Sequence, residues 1–329
     1  MKTIIFNNKP TIISASSIGG PKESSGNLKD FIDIKLDNDM FMENSFEKAE
    51  SKMMLYAIKG AISSSSLDKN QIDTIIAGDL LDQIISATFA VRNFKCSYLG
   101  VYNACATFSE SLILASTLID GGYLNNIVCS TSSHFSSAER QYRYPLELGS
   151  VRPPQAQWTV TGAGACVLSN KGKGPKIINA TLGRIVDFGV TDVNNMGAAM
   201  APSACETIYC HLKQLNITPD YYDLIVTGDL GTLGSRILKD LLWEKGYDIQ
   251  KQHVDCGELI YNLCECEYQG GSGAGCSAVV FCSYLYKRLK QRKFKRILLV
   301  ATGALLSSLS SQQGESIPGI SHAVGIECL

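Results

Sequence analysis

The chain reads as an α/β protein of two similar halves, and three observations predict that class. A short segment recurs: "IDTIIAGDLLDQ", residues 72 to 83, matches "YDLIVTGDLGTL", residues 222 to 233, in its Asp, its apolar pair and its Gly-Asp-Leu. Around each copy, apolar runs of strand length alternate with segments of helical periodicity. Those runs are continuously apolar, the pattern of mainly parallel sheets covered on both faces.

In the first half, residues 42 to 65 set Ala49, Met53, Ala57 and Ala61 on one helical face. There follow the strands "DTIIAGD" (73 to 79) and "YLGVYNA" (98 to 104), a helix from Ala106 to Asp120, and the strand "NNIVCSTSS" (125 to 133). That helix carries Phe108, Leu112, Ala115 and Ile119 on one stripe and stops at Gly121-Gly122. The second half repeats the order: a helix around 199 to 215, "DLIVTGD" (223 to 229), a helix from 234 to 245, a strand near "KQHVDC", a helix after "GGSGAGC" and the strand "RILLVATG". "QWTVTGAGACVLS" (157 to 169) closes the first half, and "HAVGIEC" (322 to 328) is its expected counterpart. The two units expected are residues 1–175 and 176–329.

Hydrophobic residues make up 45% of the 329, enough for a substantial core. The formal net charge is −1 and no basic cluster interleaves with aromatics, so nucleic acid is not an expected partner. The densest basic stretch, "YKRLKQRKFKR" (286 to 296), reads as a solvated helix end, with an anionic membrane surface as the alternative. No apolar run approaches the ~20 residues of a spanning helix and the N-terminus lacks a secretory pattern, so the chain is expected to be made and kept in the cytoplasm. Twelve cysteines are scattered through the chain, several of them in apolar runs, and most read as buried, reduced thiols. Cys256, Cys264 and Cys266 match no common zinc spacing, and no metal site is expected.

Cys105 lies where a strand turns sharply into a helix, facing the unpaired N–H groups of the helix start. Such a place lowers a thiol's pKa and can hold an oxyanion. Packing is the competing reading of a cysteine there.

The paired halves, "NACATFSESLILASTLIDGG" and the following "IVCSTSSH" resemble the thiolase and ketoacyl-synthase superfamily over nearly the whole chain. The resemblance implies a thiolase-like fold, two duplicated α/β halves in a layered αβαβα arrangement, with the superfamily's nucleophile at Cys105. It also implies a homodimer. A narrower set, "AGDLLDQ", "TSSHFSSAERQYRYPLE", "VTGAGACVLS", "MGAAMAPSACETI", "GGSGAGCSAVV" and "ESIPGISHAV", resembles the stage V sporulation protein AD family, thiolase-like proteins of spore-forming bacteria. That resemblance implies a part in moving dipicolinic acid into the developing spore, as a ligand-binding component beside membrane-embedded channel proteins. It places the protein at the periphery of the forespore membrane.

Condensing enzymes of the superfamily need a His base, or a His/Asn pair, from the second half. The matching segments "TGDLGTLG" (227 to 234) and "YQGGSGAGCS" (268 to 277) contain none of the chain's four histidines. The expectation is therefore a binding protein and not an enzyme, with an acyltransferase or condensing enzyme using Cys105 as the alternative. A structural subunit whose old pocket is filled is a third reading. Dipicolinate is a flat ring with two carboxylates, so its site needs an apolar slot with donors at both ends. Cys105 and its helix start are expected at one carboxylate, and Gly270, Gly271, Ser272 and Gly273 as an anion nest at the other. His134 or Arg140 would add charge, and His322 opens the last strand of the pocket. No cofactor is expected; calcium would enter only with dipicolinate, as its calcium salt, with Asp79 or Asp229 supplying oxygen.

Overall fold

The computed structural model describes residues 1–143, 152–263 and 269–328. Cys264 and Cys266 lie outside them. Ten strands carry the architecture. The first five are β1 (Thr11–Gly19), β2 (Thr74–Gly78), β3 (Ser97–Gly100), β4 (Asn126–Ser133) and β5 (Gly162–Ser169). The second five are β6 (Lys176–Leu182), β7 (Leu224–Thr227), β8 (His253–Asp255), β9 (Arg296–Ala304) and β10 (Gly319–Glu327). The first set runs β3-β2-β4-β5-β1 and the second β8-β7-β9-β10-β6, the same order with each number raised by five.

In each set three strands are parallel and two joins are antiparallel, so the sheets are mixed where the apolar runs predicted mainly parallel ones. The reason is connection: residues 305–318 stay at one end of the sheet, and β10 can only return antiparallel to β9. The repeated aspartates explain the repeat itself. Asp73 accepts from the backbone N–H groups of Asn125 and Asn126, at 2.7 and 2.9 Å, tying the start of β2 to β4. Asp223 does the same for β7 and β9 through Lys295 and Arg296, at 2.6 and 2.9 Å.

Successive side chains of a strand point to opposite faces, and here both faces are buried. Ile76, Cys129 and Leu168 face inward with Leu299 and Val324 of the second set, while Ile75, Val128 and Val167 face outward under a helix. That outer helix is α1 (Phe46–Ser64); its counterpart over the second set is α5 (Met196–Leu215). Between the sheets lie α3 (Thr107–Asp120) and α7 (Ala274–Val280), which continues through a π turn to Lys290. The layers are thus α, β, α, β, α. Phe108 of α3 meets Phe281 with ring centroids 5.6 Å apart at the centre, and truncating such a ring costs about 3–5 kcal/mol. The outer helices α2 (Ile85–Val91) and α6 (Gly231–Glu244) follow β2 and β7, and α4 (Phe135–Tyr142) follows β4.

Ten described cysteines are free thiols. Among the described residues no helix is long and apolar enough to cross a membrane.

Candidate functional site

Cys105 sits at the turn between β3 and α3, 7% exposed. Ala104 before it takes a left-handed conformation, φ 47°, which is uncommon for a residue with a Cβ and makes the turn sharp. Thr107 closes that turn: its hydroxyl donates to the Ala104 carbonyl at 2.6 Å and accepts from the Asn103 N–H at 3.0 Å. Gly303 of β9 passes so close that a Cβ there would meet the Asn103 carbonyl at 2.9 Å. The second half therefore presses directly against the turn.

A cavity of about 480 Å³ opens beside the thiol, within the range of small-molecule sites. Leu80, Ala138, Met196, Leu305 and Leu306 give it apolar walls. Tyr102, Tyr142, Thr159, Ser272, Ser307 and Ser310 bring hydroxyls, and Arg143 and Asp82 bring charge. The two tyrosine hydroxyls lie 2.9 Å apart. Arg143 is held against buried Glu139 at 2.7 Å and donates to the Thr159 hydroxyl at 3.3 Å. Arg152 joins the same Glu139 oxygen at 3.1 Å, so one buried carboxylate orients two guanidinium groups.

The partner of Cys105 is a carboxylate. Asp229, fully buried, lies beside the Cys105 thiol and Ser272. The Thr302 hydroxyl donates to it at 2.8 Å and the Gly273 N–H at 3.0 Å. Burial raises Asp229 to about 6. Burial first, and the Asp229 charge next, push the Cys105 thiol well above its usual value. The sequence reading had the helix start lowering it; desolvation and a neighbouring anion act the other way and keep the thiol protonated.

The sequence profile of the stage V sporulation protein AD family matches residues 1–327. This chain belongs to that family. Stage V sporulation protein AD of Bacillus subtilis (strain 168) is 44% identical over 326 residues, covering 99% of this chain and 96% of that protein. Among solved structures, 3-oxoacyl-[acyl-carrier-protein] synthase III of Aquifex aeolicus VF5 matches with a TM-score of 0.58 at 16% identity, covering 97% of this chain and 99% of its own. OleA of Xanthomonas campestris with bound lauric acid and lauroyl-CoA matches with a TM-score of 0.63 at 14% identity, covering 98% and 100%. These likenesses show the thiolase-like fold.

In this stage V sporulation protein AD family member, none of the four histidines lines the cavity. His134 caps α4: its Nδ1 accepts the Ser136 N–H at 3.1 Å and its Nε2 donates to the Asp39 carbonyl at 2.9 Å. His322 accepts the Gly183 N–H at 3.0 Å and faces the amide of Asn103, two residues before Cys105, at 2.9 Å. Burial lowers it to about 4, so it is neutral. His211 and His253 are spent on Thr181, Tyr222 and Thr227.

Arg140 turns away from the cavity to pair with Glu47, and Arg143, three residues on, takes the wall. Asp79 is also elsewhere: its oxygens accept the Leu81 and Ala87 N–H groups at 2.8 and 2.7 Å. The glycine run is tied to its neighbours through its carbonyls and through the Gly273 N–H. Gly270 and Ser272 carbonyls pair with the Trp158 and Val160 N–H groups, Gly271 accepts from Gln157, and the Gly273 N–H is committed to Asp229. Ser272 alone of the four lines the cavity. The place of Asp229 beside Cys105 and that of Arg143 on the cavity wall were hardest to see in the sequence. The repeat held one signal: Asp79 and Asp229 occupy matching positions, but only the second reaches a cysteine.

Proposed function

We propose that this protein binds dipicolinic acid without catalysing a reaction, and serves its uptake into the developing spore beside membrane-embedded partners at the forespore membrane. The observation that carries the reading is the cavity at Cys105: apolar walls for a flat ring, Arg143 and hydroxyls for carboxylates, and a protonated thiol beside Asp229 with no histidine on the wall. Its open volume speaks against a pocket filled by side chains. A homodimer is part of the same proposal, as is entry of the ligand either free or with calcium.

Equilibrium dialysis of the folded protein against dipicolinate, with and without calcium, tests it. Saturable binding that Cys105→Ala weakens without unfolding the chain is the expected result; no saturable binding under either condition sinks the ligand claim. The acyl-transfer reading keeps one support, the placement of Cys105 at a helix start beside a cavity. Incubation with acyl-thioesters and intact-mass measurement separates the two: a covalent adduct on Cys105 that turns over to product would replace the binding reading.

A further inference from the structure

The basic stretch noted in the sequence acquires a neighbour in the fold. Residues 286 to 296 hold seven cations and no acid, and residues 170 to 176 hold Lys171, Lys173 and Lys176 with no acid. The two segments lie far apart in the chain, yet sheet register brings them together. Lys176 of β6 is opposite Glu327 of β10, which is opposite Arg296 of β9. Adjacent strands are about 4.8 Å apart, so the loops entering β6 and β9 emerge at the same end of the sheet with only β10 between them.

Lys171, Lys173, Lys176, Lys290, Lys293 and Lys295 are all exposed there. The bordering acids are engaged locally: Glu327 with Arg296, Asp33 with Lys287, and Asp73 and Asp223 with backbone N–H groups. Tyr123, 78% exposed, stands just before β4, whose first residue Asn126 is paired with Ser169. A polar groove of about 750 Å³, lined in part by Ser65, Asn125, Asn170, Lys171 and Lys173, opens at the same end.

We propose that this lysine-rich end of the sheets, formed by residues 170–176 and 290–295, docks the protein on an anionic phospholipid surface. Lysines act as point charges that read net surface charge, and an exposed tyrosine suits the headgroup level. Nucleic acid fits less well, since one tyrosine makes no stacking platform. The Cys105 cavity lies at the other end of the same strands, roughly 26 Å away by the rise of β9. A docked molecule would therefore keep its cavity open to the aqueous side. The inference rests on the membrane location in the reading above and on nothing about the ligand.

Vesicle sedimentation tests it with the full chain, using phosphatidylcholine vesicles with and without phosphatidylglycerol. The wild type should bind only the anionic vesicles, and release as the Debye length falls from about 10 Å at 0.1 M salt to about 3 Å at 1 M. Each cation near such a surface is worth about fivefold in partitioning, so changing Lys171, Lys173, Lys293 and Lys295 together to Gln should cost a hundredfold or more. A control with Lys22, Lys35, Lys48 and Lys239 changed to Gln should stay within about threefold of wild type. Loss of binding in the control equal to that in the patch variant, equal binding to neutral vesicles, or tighter binding to duplex DNA than to vesicles would overturn the proposal. Dipicolinate affinity is measured on every variant: unchanged affinity with vesicle binding lost shows a folded protein, and absent vesicle binding in the wild type defeats the docking surface while leaving the ligand reading standing.

Discussion

Asp229 determines what Cys105 can do, and Asp229→Asn exposes that control. The carboxylate stands beside the thiol in a fully buried site, so forming a thiolate would set two anions side by side. At ~4 Å and an effective dielectric near 20, that opposition is about 4 kcal/mol. Rearrangement of the Thr302 and Gly273 donors around the new amide would consume part of the gain. If about half survives, thiolate-dependent alkylation of Cys105 should rise on the order of tenfold to a hundredfold, since 1.4 kcal/mol is a factor of ten. The assay is the rate of iodoacetamide labelling at mildly alkaline pH, read by peptide mass with Cys105→Ala as the blank. Slower labelling of Asp229→Asn would refute the reasoning, because it would make Asp229 a base that activates the thiol.

Arg143→Met should weaken dipicolinate binding about tenfold or more by calorimetry, the worth of one hydrogen bond to a charged group, whereas Arg140→Met should leave it nearly unchanged. His134→Ala removes the α4 cap and the bond to Asp39, and should lower unfolding free energy by about 2 kcal/mol in a urea titration while ligand affinity stays within about twofold. Glu50, buried against Ser132 and Ser137, is raised to about 8 by desolvation and by the neighbouring Asp79. Its folded value lies above its unfolded one, so the folded protein holds the extra proton and loses stability as pH rises from about 5 to about 8. Glu50→Gln should flatten that loss by about 2 kcal/mol between pH 6 and pH 8, measured by urea titration at each pH.

What the sequence made legible was local or repeated. The buried runs at β2, β4, β7 and β9 announced themselves by apolar content, and the paired aspartates at 73 and 223 proved to perform one job twice. β1 was not read as a strand because Ser14, Ser16 and Ser17 interrupt its apolar run. In the fold those small residues let α1 approach: Ser14 donates to the Ala61 carbonyl at 2.7 Å, and a Cβ on Gly60 would lie 2.4 Å from the Ser16 hydroxyl. β6 was missed because a short run between polar loops carries no neighbour information. At the site, the strand, turn and helix around Cys105 were visible because they are contiguous. Its pairing with Asp229 was not, because sheet packing alone brings together residues so distant in sequence. Arg140 and Arg143 could not be told apart by pattern; the choice is made by Glu47 of α1, which takes Arg140, and Glu139 of α4, which takes Arg143. The glycines at 270 to 273 suggested free N–H groups, but the Gly273 N–H is spent on Asp229, and the run pairs with Trp158–Thr159 as a short strand.

A crystal structure of the protein grown with dipicolinate tests the central claim most directly. The account predicts the ring between Leu80 and Leu306, a carboxylate on Arg143 or Ser272, and an unmodified Cys105 still beside Asp229. Ligand bound elsewhere with the cavity empty, or a covalent group on the Cys105 sulfur, would contradict it.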